Sequence, residues 1–234
     1  MIEPFQFKQF SIDQNLCAMK VGTDGVLLGA WSKTPNGKVL DIGCGSGLIS
    51  LIIAQRNPNC TIDAIDIDKG AYLQTVNNIE GCRWKTRIKG HHISLQVFET
   101  IEKYDLIISN PPFFINAFKS ENKSKNMARH TDELSFEDFI ANTKKLLTPT
   151  GILSVILPIN ESVIFNDIAN KEGLHLNRNC LVKPNYAKDP KRVLMEFSFV
   201  NSELQTEHLT IETEKRHQYT KEYRNLTQDF YLKF

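Results

Sequence analysis

Two short runs in this chain carry residue types and spacings that suit work on a ligand. The first is Val39-Leu40-Asp41-Ile42-Gly43-Cys44-Gly45-Ser46-Gly47-Leu48, an apolar strand, a turn with glycine at alternate positions, and the start of an apolar helix. Gly43 and Gly45 can take backbone angles closed to other residues, so a ligand can lie against bare main chain while Ser46 opens the helix. A dinucleotide site uses G-x-G-x-x-G, with the helix N-terminus aimed at a pyrophosphate. Here the spacing is G-x-G-x-G, position 48 is Leu, and Asp41 stands two residues before the first glycine, where it can meet a cation. S-adenosylmethionine carries an amino group and a sulfonium and no phosphate, so Asp41 suits its methionine end better than it suits NAD. The plain alternative is a tight strand-to-helix connection with no ligand.

The second run is Tyr104-Asp105-Leu106-Ile107-Ile108-Ser109, the most strand-like stretch in the chain, leading directly into Asn110-Pro111-Pro112-Phe113. The prolines fix φ and remove two N–H donors, which leaves carbonyls without a competing amide. The Asn110 side-chain oxygen and the Pro111 carbonyl can together grip an NH2 group, and Phe113 offers a stacking face for a flat base. An exocyclic amine on adenine is a poor nucleophile because its lone pair is delocalised into the ring. Two acceptors that hold its protons out of the ring plane would localise that pair and aim it at a sulfonium methyl. What remains is an in-line displacement, which needs positioning and exclusion of water, with no metal and no covalent enzyme intermediate. Here the plain alternative is a proline turn that only ends a strand.

Strands and helices must deliver these runs to one place. After the glycine turn a helix reaches Arg56, and residues 61–67 read as a second strand with Asp66 at its C-terminal end. Ligands of open parallel sheets gather at that end, where a carboxylate can accept both ribose hydroxyls. Asp63 sits mid-strand and Asp68 reads as a helix cap, so Asp66 takes the ribose role and Ile67 packs on the adenine face. A third strand over residues 87–91 places His92 beside the adenine, where it either hydrogen-bonds or is merely exposed. Upstream, residues 5–10 alternate as a short strand. Within residues 17–31, Thr23 or Asp24 can cap a helix with Val26, Leu27, Ala30 and Trp31 on its apolar face, and the stretch is either a cover closing one edge of the sheet or an element bringing Lys20, Thr23 and Asp24 to the methionine end. Downstream, helices over 134–147 and 161–172 bracket a strand at 151–157. Residues 175–182 and 193–200 then form a final hairpin, and residues 219–232 are helix-like.

Together the glycine turn and Asn110-Pro111-Pro112-Phe113 resemble the class I S-adenosylmethionine-dependent methyltransferases that act on amino nitrogens. With Phe7-Lys8-Gln9-Phe10, residues 17–31 and residues 219–232, the resemblance narrows to the bacterial tRNA adenine-N6 methyltransferases that modify adenine 37 of valine tRNA. It implies an α/β, Rossmann-like fold with a seven-stranded, mostly parallel sheet, helices on both faces and a C-terminal antiparallel hairpin. It also implies S-adenosylmethionine as cofactor, Asp66 on the ribose, Asn110, Pro111 and Phe113 on the target base, and the anticodon loop of a tRNA as partner. Many relatives carry an acid after the third strand, where this chain has His92.

RNA contact has two further candidates. Lys119, Lys123, Lys125 and Arg129 make residues 118–130 a basic loop directly after the catalytic turn, suited to phosphates, although a charge run also suits a solvated face. The proline-bounded loop 183–192 holds Tyr186, which can stack on a base, and Arg192. The chain's formal net charge is only +1, so any attraction to RNA must be local.

With 234 residues, 41% hydrophobic and 24% charged, the chain reads as one soluble domain: an N-terminal cap over 1–34, a catalytic core over 35–200 and a C-terminal appendage over 201–234. Cysteines at 17, 44, 60, 82 and 180 form no C-x-x-C pair, which argues for reduced thiols in a cytoplasm and against a zinc site. The paired His91 and His92 lack further ligands at metal-binding spacing. No signal peptide, membrane span or obligate protein partner is evident. The rival readings are a protein glutamine-N5 methyltransferase, since a carboxamide NH2 would satisfy the same acceptors, and a noncatalytic RNA-binding or cofactor-sensing module.

Overall fold

A computed structural model of the chain describes residues 3–111 and 134–234. Two apolar strands form the centre. β3 (Gly37–Ile42) and β6 (Tyr104–Ser109) run parallel, with Ile42 paired to Ser109. From β3 the chain passes through α2 (Leu48–Arg56) to β4 (Cys60–Asp66), then through α3 (Lys69–Glu80) to β5 (Ile88–His92), each strand added parallel on one side. It then crosses back to lay β6 against the other side of β3. At such a reversal the flanking connections leave in opposite directions and a crevice opens at the strands' carboxyl ends.

Beyond β6 come α4 (Phe136–Leu146), β7 (Leu147–Pro158), α5 (Ile159–Lys171), β8 (His175–Lys183), β9 (Arg192–Ser198) and β10 (Gln205–Thr210). The sheet order is β10-β8-β9-β7-β6-β3-β4-β5, and β9 is antiparallel to both neighbours. The expected seven strands are thus present with an eighth, β10, parallel to β8 at the edge. Four of its six residues are exposed and polar, so no apolar alternation announced it. Glu207 of β10 is instead held by Arg178 of β8 at 2.6 Å and by the Trp31 indole N–H at 2.9 Å.

Two apolar layers sandwich the sheet. α1 (Thr23–Trp31), α2 and the C-terminal α6 (Lys221–Thr227) cover one face, and α4 and α5 cover the other. α1 is not an edge cover as expected. It lies against α2 so closely that a Cβ on Gly29 would stand 2.9 Å from Ile52, and every residue from Gly25 to Trp31 is buried. Its N-cap is Gly22 with no side-chain cap, so neither Thr23 nor Asp24 plays that part. Residues 5–12 form a separate small hairpin, β1 (Phe5–Gln6) with β2 (Ser11–Ile12), rather than one strand. Its rings stack with the chain's other end: Phe7 lies 5.8 Å from Tyr231, and the Lys8 amide donates to the Phe230 carbonyl at 2.8 Å.

Candidate active site

The paired ends of β3 and β6 release the two chemical runs side by side. Adjacent strands lie about 5 Å apart, so Gly43, after Ile42, and Asn110, after Ser109, emerge as neighbours. Both line one cavity of about 320 Å³, together with Gly45, Asp66, Ile67 and Pro111. A volume of that order suits a nucleoside-sized ligand.

The glycine turn is built for bare backbone. Gly43, Gly45 and Gly47 have φ of 68°, 59° and 77°, a region that costs other residues. A Cβ on Gly43 would meet nothing within 4 Å, because that face opens into the cavity. The turn is pinned from β4: the Gly43 and Cys44 amides donate to the Ile65 carbonyl, and the Gly45 amide donates to Asp66 Oδ2 at 2.9 Å. Asp66 Oδ1 accepts from the Asp68 amide at 2.9 Å. A carboxylate has about four lone-pair sites, so Asp66 is oriented by two amides and keeps acceptor capacity toward the cavity. Asp68 caps α3 by accepting from the Ala71 amide, as its place in the sequence suggests.

Asn110 supplies a polar group to the cavity wall beside the glycine turn. Its Oδ1 is buried with no hydrogen-bond partner among the described residues. A buried, unsatisfied amide oxygen costs about 1–3 kcal/mol, which a donor entering the cavity would recover. Leu134 and Phe139 close the apolar side near it.

The Methyltransferase small domain family matches residues 18–164. A protein of Pseudoalteromonas translucida is 43% identical over 98% of both chains, and one of Trichodesmium erythraeum is 47% identical over 98% of both. A third, from Bacteroides fragilis, is 41% identical over the full length of each. All three are named tRNA1(Val) (adenine(37)-N6)-methyltransferase. The chain belongs to that family.

The fold of this tRNA1(Val) (adenine(37)-N6)-methyltransferase family member recurs in solved structures. A "predicted O-methyltransferase" of Agrobacterium tumefaciens aligns with a TM-score of 0.70 at 15% identity, covering 88% of this chain and 96% of its own. A glycopeptide N-methyltransferase complexed with S-adenosyl-L-methionine aligns with a TM-score of 0.54 at 11% identity, covering 76% and 95%.

Several residues named from sequence stand elsewhere in this family member. Asp41 is fully buried and does not line the cavity; its Oδ2 accepts from the Ser50 amide at 3.1 Å and the Ser50 hydroxyl at 2.7 Å. The N-cap of α2 is Gly47, without a side chain, so Asp41 reaches across from β3 to satisfy a first-turn amide, and Ser46 does not open the helix. Burial pushes the Asp41 carboxyl up to about 7 against the lowering effect of the Ser50 bonds, with the Asp66 charge adding to the rise. Lys20 Nζ turns back to the Gln14 and Cys17 carbonyls, Thr23 lines a different cleft, and Asp24 pairs with Arg192 at 2.8 Å. His92 is exposed, stacks on Tyr72 and bonds to the Ile67 carbonyl at 3.1 Å, while the cavity wall after β5 is made by Ile93 through Gln96. Tyr186 is exposed. Phe113, Lys119, Lys123, Lys125 and Arg129 lie outside the described residues.

The structure also adds a wall that sequence reading assigned to no single place. Cys17, Ala18 and Met19 border the cavity on a strap fastened to α3. Asn78 holds the Asp13 backbone at both N–H and C=O, and Gln74 Oε1 accepts from the Leu16 amide at 2.9 Å. Gly70 is required there, since a Cβ would stand 2.4 Å from the Leu16 carbonyl oxygen. Polar residues at 14, 74 and 78 are the only signal, and nothing local links them.

Proposed function

We propose that this chain methylates N6 of an adenine in tRNA, adenine 37 of valine tRNA by the reading its relatives support, using S-adenosylmethionine. The observation that carries the proposal is the buried, unpartnered Oδ1 of Asn110, a residue that lines the same cavity as the open Gly43 backbone. Full-length relatives named for that reaction support it.

The residues present fit the cofactor. Gly43 and Gly45 leave room against the main chain, Asp66 offers oxygens for the ribose hydroxyls, and Ile67, Ile93 and Leu95 make an apolar slot for a flat base. When bound, S-adenosylmethionine supplies a methyl carbon made electrophilic by its sulfonium. Asn110 Oδ1 accepts one N–H of the target amine and Pro111 borders the same position, so the nitrogen lone pair is directed into the cavity. Gly43, Gly45 and Asp66 would hold the cofactor while its methyl group is given up and it leaves as a neutral thioether, and the proton displaced from the amine would go to solvent. Leu134, Phe139 and the strap at 17–19 keep water from the reacting atoms. An unpaired anticodon-loop base is also the least costly kind to extrude.

The test is mass spectrometry of nucleosides from tRNA of a strain lacking this gene, its parent, and the strain complemented with this chain. N6-methyladenosine in the valine tRNA should vanish in the first and return in the last. Identical nucleoside profiles in all three would overturn the proposal.

Among the described residues no helix is long and apolar enough to cross a membrane, and no cluster of three His, Cys, Asp or Glu side chains is placed to hold a metal ion. All five cysteines are free and buried.

A further inference from the structure

A second cavity, of about 480 Å³, opens beside the first. Its position follows from topology: β7 is parallel to β6, β8 runs with β7 because both oppose β9, and β10 runs with β8. Pro184, past the end of β8, and Ile211, past the end of β10, line this cavity and so leave the sheet at the same edge as Gly43 and Asn110. The strap joins the two. Met19 borders the first cavity and Val21 the second, a separation of at most about 7 Å along the chain.

The wall is aromatic and the rim is cationic. Phe5, Tyr219, Tyr231 and Phe234 present rings, with Phe234 edge-on to Tyr219 at 5.8 Å and to Tyr231 at 5.7 Å. Arg216 and Lys233, both exposed, are among its lining residues, and among the described residues neither enters an ion pair. The acid of the lining, Glu212, is engaged with the His217 amide at 2.9 Å. His217 itself is held at φ 64°, the one non-glycine residue described with positive φ, and it fixes the loop that carries Arg216. A purely structural aromatic cluster accounts for Tyr223, which is buried, but not for Phe234, which is 39% exposed, or for two unpaired cations beside it.

Flat rings next to free cations match one ligand chemistry well: a base that stacks and a phosphate that pairs. Resting on the reading of the chain as an RNA methyltransferase, we propose that this cleft binds an unpaired nucleotide of the RNA substrate flanking the target adenine. Its base lies against Tyr219 and Phe234 and its phosphate on Arg216 and Lys233. The cleft thereby sets which nucleotide of the loop reaches Asn110.

The test uses the full chain and unfractionated tRNA from a strain lacking this gene. Phe234→Ala and the Arg216→Ala/Lys233→Ala double variant should each weaken RNA binding by about 10-fold in filter binding. The KM for tRNA should rise in parallel, while the cofactor Kd by calorimetry and the melting temperature hold. Phe234→Tyr should restore affinity. If wild type binds and methylates this tRNA and both variants match it, the cleft proposal is overturned and the enzyme reading stands. If wild type neither binds nor methylates it, both fall.

Discussion

At Asn110 a buried amide oxygen has no partner among the described residues, which costs about 1–3 kcal/mol unless a donor is supplied, and a ligand's amine is such a donor. Replacing Asn110 with Ala should therefore cut kcat by about 10²–10³-fold, as for loss of one fixed polar group in a transition state, with the cofactor Kd within about 2-fold of wild type. Single-turnover methylation and calorimetry separate the two, and undiminished turnover would remove Asn110 from the reaction. The position of this residue at the cavity was legible in the sequence because the signal is local, as were the positions of Gly43, Gly45, Asp66 and Ile67. Asp41 was not, because side-chain direction alternates along a strand and spacing alone could not say that Ile42 lines the cavity while Asp41 turns to α2. Its environment gives a sign-definite test. The folded carboxyl sits at about 7 against an ordinary 3.8, so the folded state holds the proton between those values. The contribution of this one carboxyl to stability is then greatest below the ordinary value, falls as pH rises through that window, and levels off above about 7. Asp41→Asn lacks that titration, so its stability relative to wild type should rise by up to about 4 kcal/mol from pH 4 to pH 8 in denaturant melts. A difference that stays flat with pH would mean the carboxyl is ionised throughout.

At the scale of elements, continuous apolar runs bounded by turn residues located β3, β4, β6 and α2 within a few residues, and a one-sided apolar face located α4. What these missed is held by polar contacts between distant segments: β10 through Glu207 and Arg178, and the strap through Gln14, Gln74 and Asn78. Gly70 reports on the strap. Ala at this position must push the Leu16 carbonyl away from 2.4 Å, shifting the segment that carries Cys17 to Met19. Gly70→Ala should weaken cofactor binding about 10-fold, roughly 1.4 kcal/mol of lost contact. Gly81→Ala is the control at the other end of the same helix, where the nearest atom to the new Cβ is 3.6 Å away. Should the two variants bind cofactor equally well, the strap is not part of the wall.

For the whole molecule, the two chain ends meet: the β1–β2 hairpin stacks on Tyr231, and Gln55 of α2 ties down the Asp229 carbonyl at 2.9 Å. The terminal segments called a cap and an appendage from sequence therefore share one apolar layer with α1 and α2. That layer also forms part of the aromatic cleft, so the surface offered to RNA is assembled from both ends of the chain and no contiguous motif could disclose it. Global charge gives RNA little help, because 28 basic and 27 acidic side chains leave a formal charge of +1. Binding then rests on few phosphate contacts: Arg216 and Lys233, with the basic residues between 118 and 130 as further candidates. Each contact on single-stranded RNA releases about 0.7 counterion, so the slope of log K against log salt should run from about −1.4 for Arg216 and Lys233 alone to about −4 with Lys119, Lys123, Lys125 and Arg129 added. Filter binding of tRNA between 50 and 200 mM salt measures it, and Arg216→Ala/Lys233→Ala should flatten it by about 1.4. A slope near −8 in wild type would require about twice as many phosphate contacts as the basic residues named, whereas a slope near zero would leave stacking alone to hold the RNA.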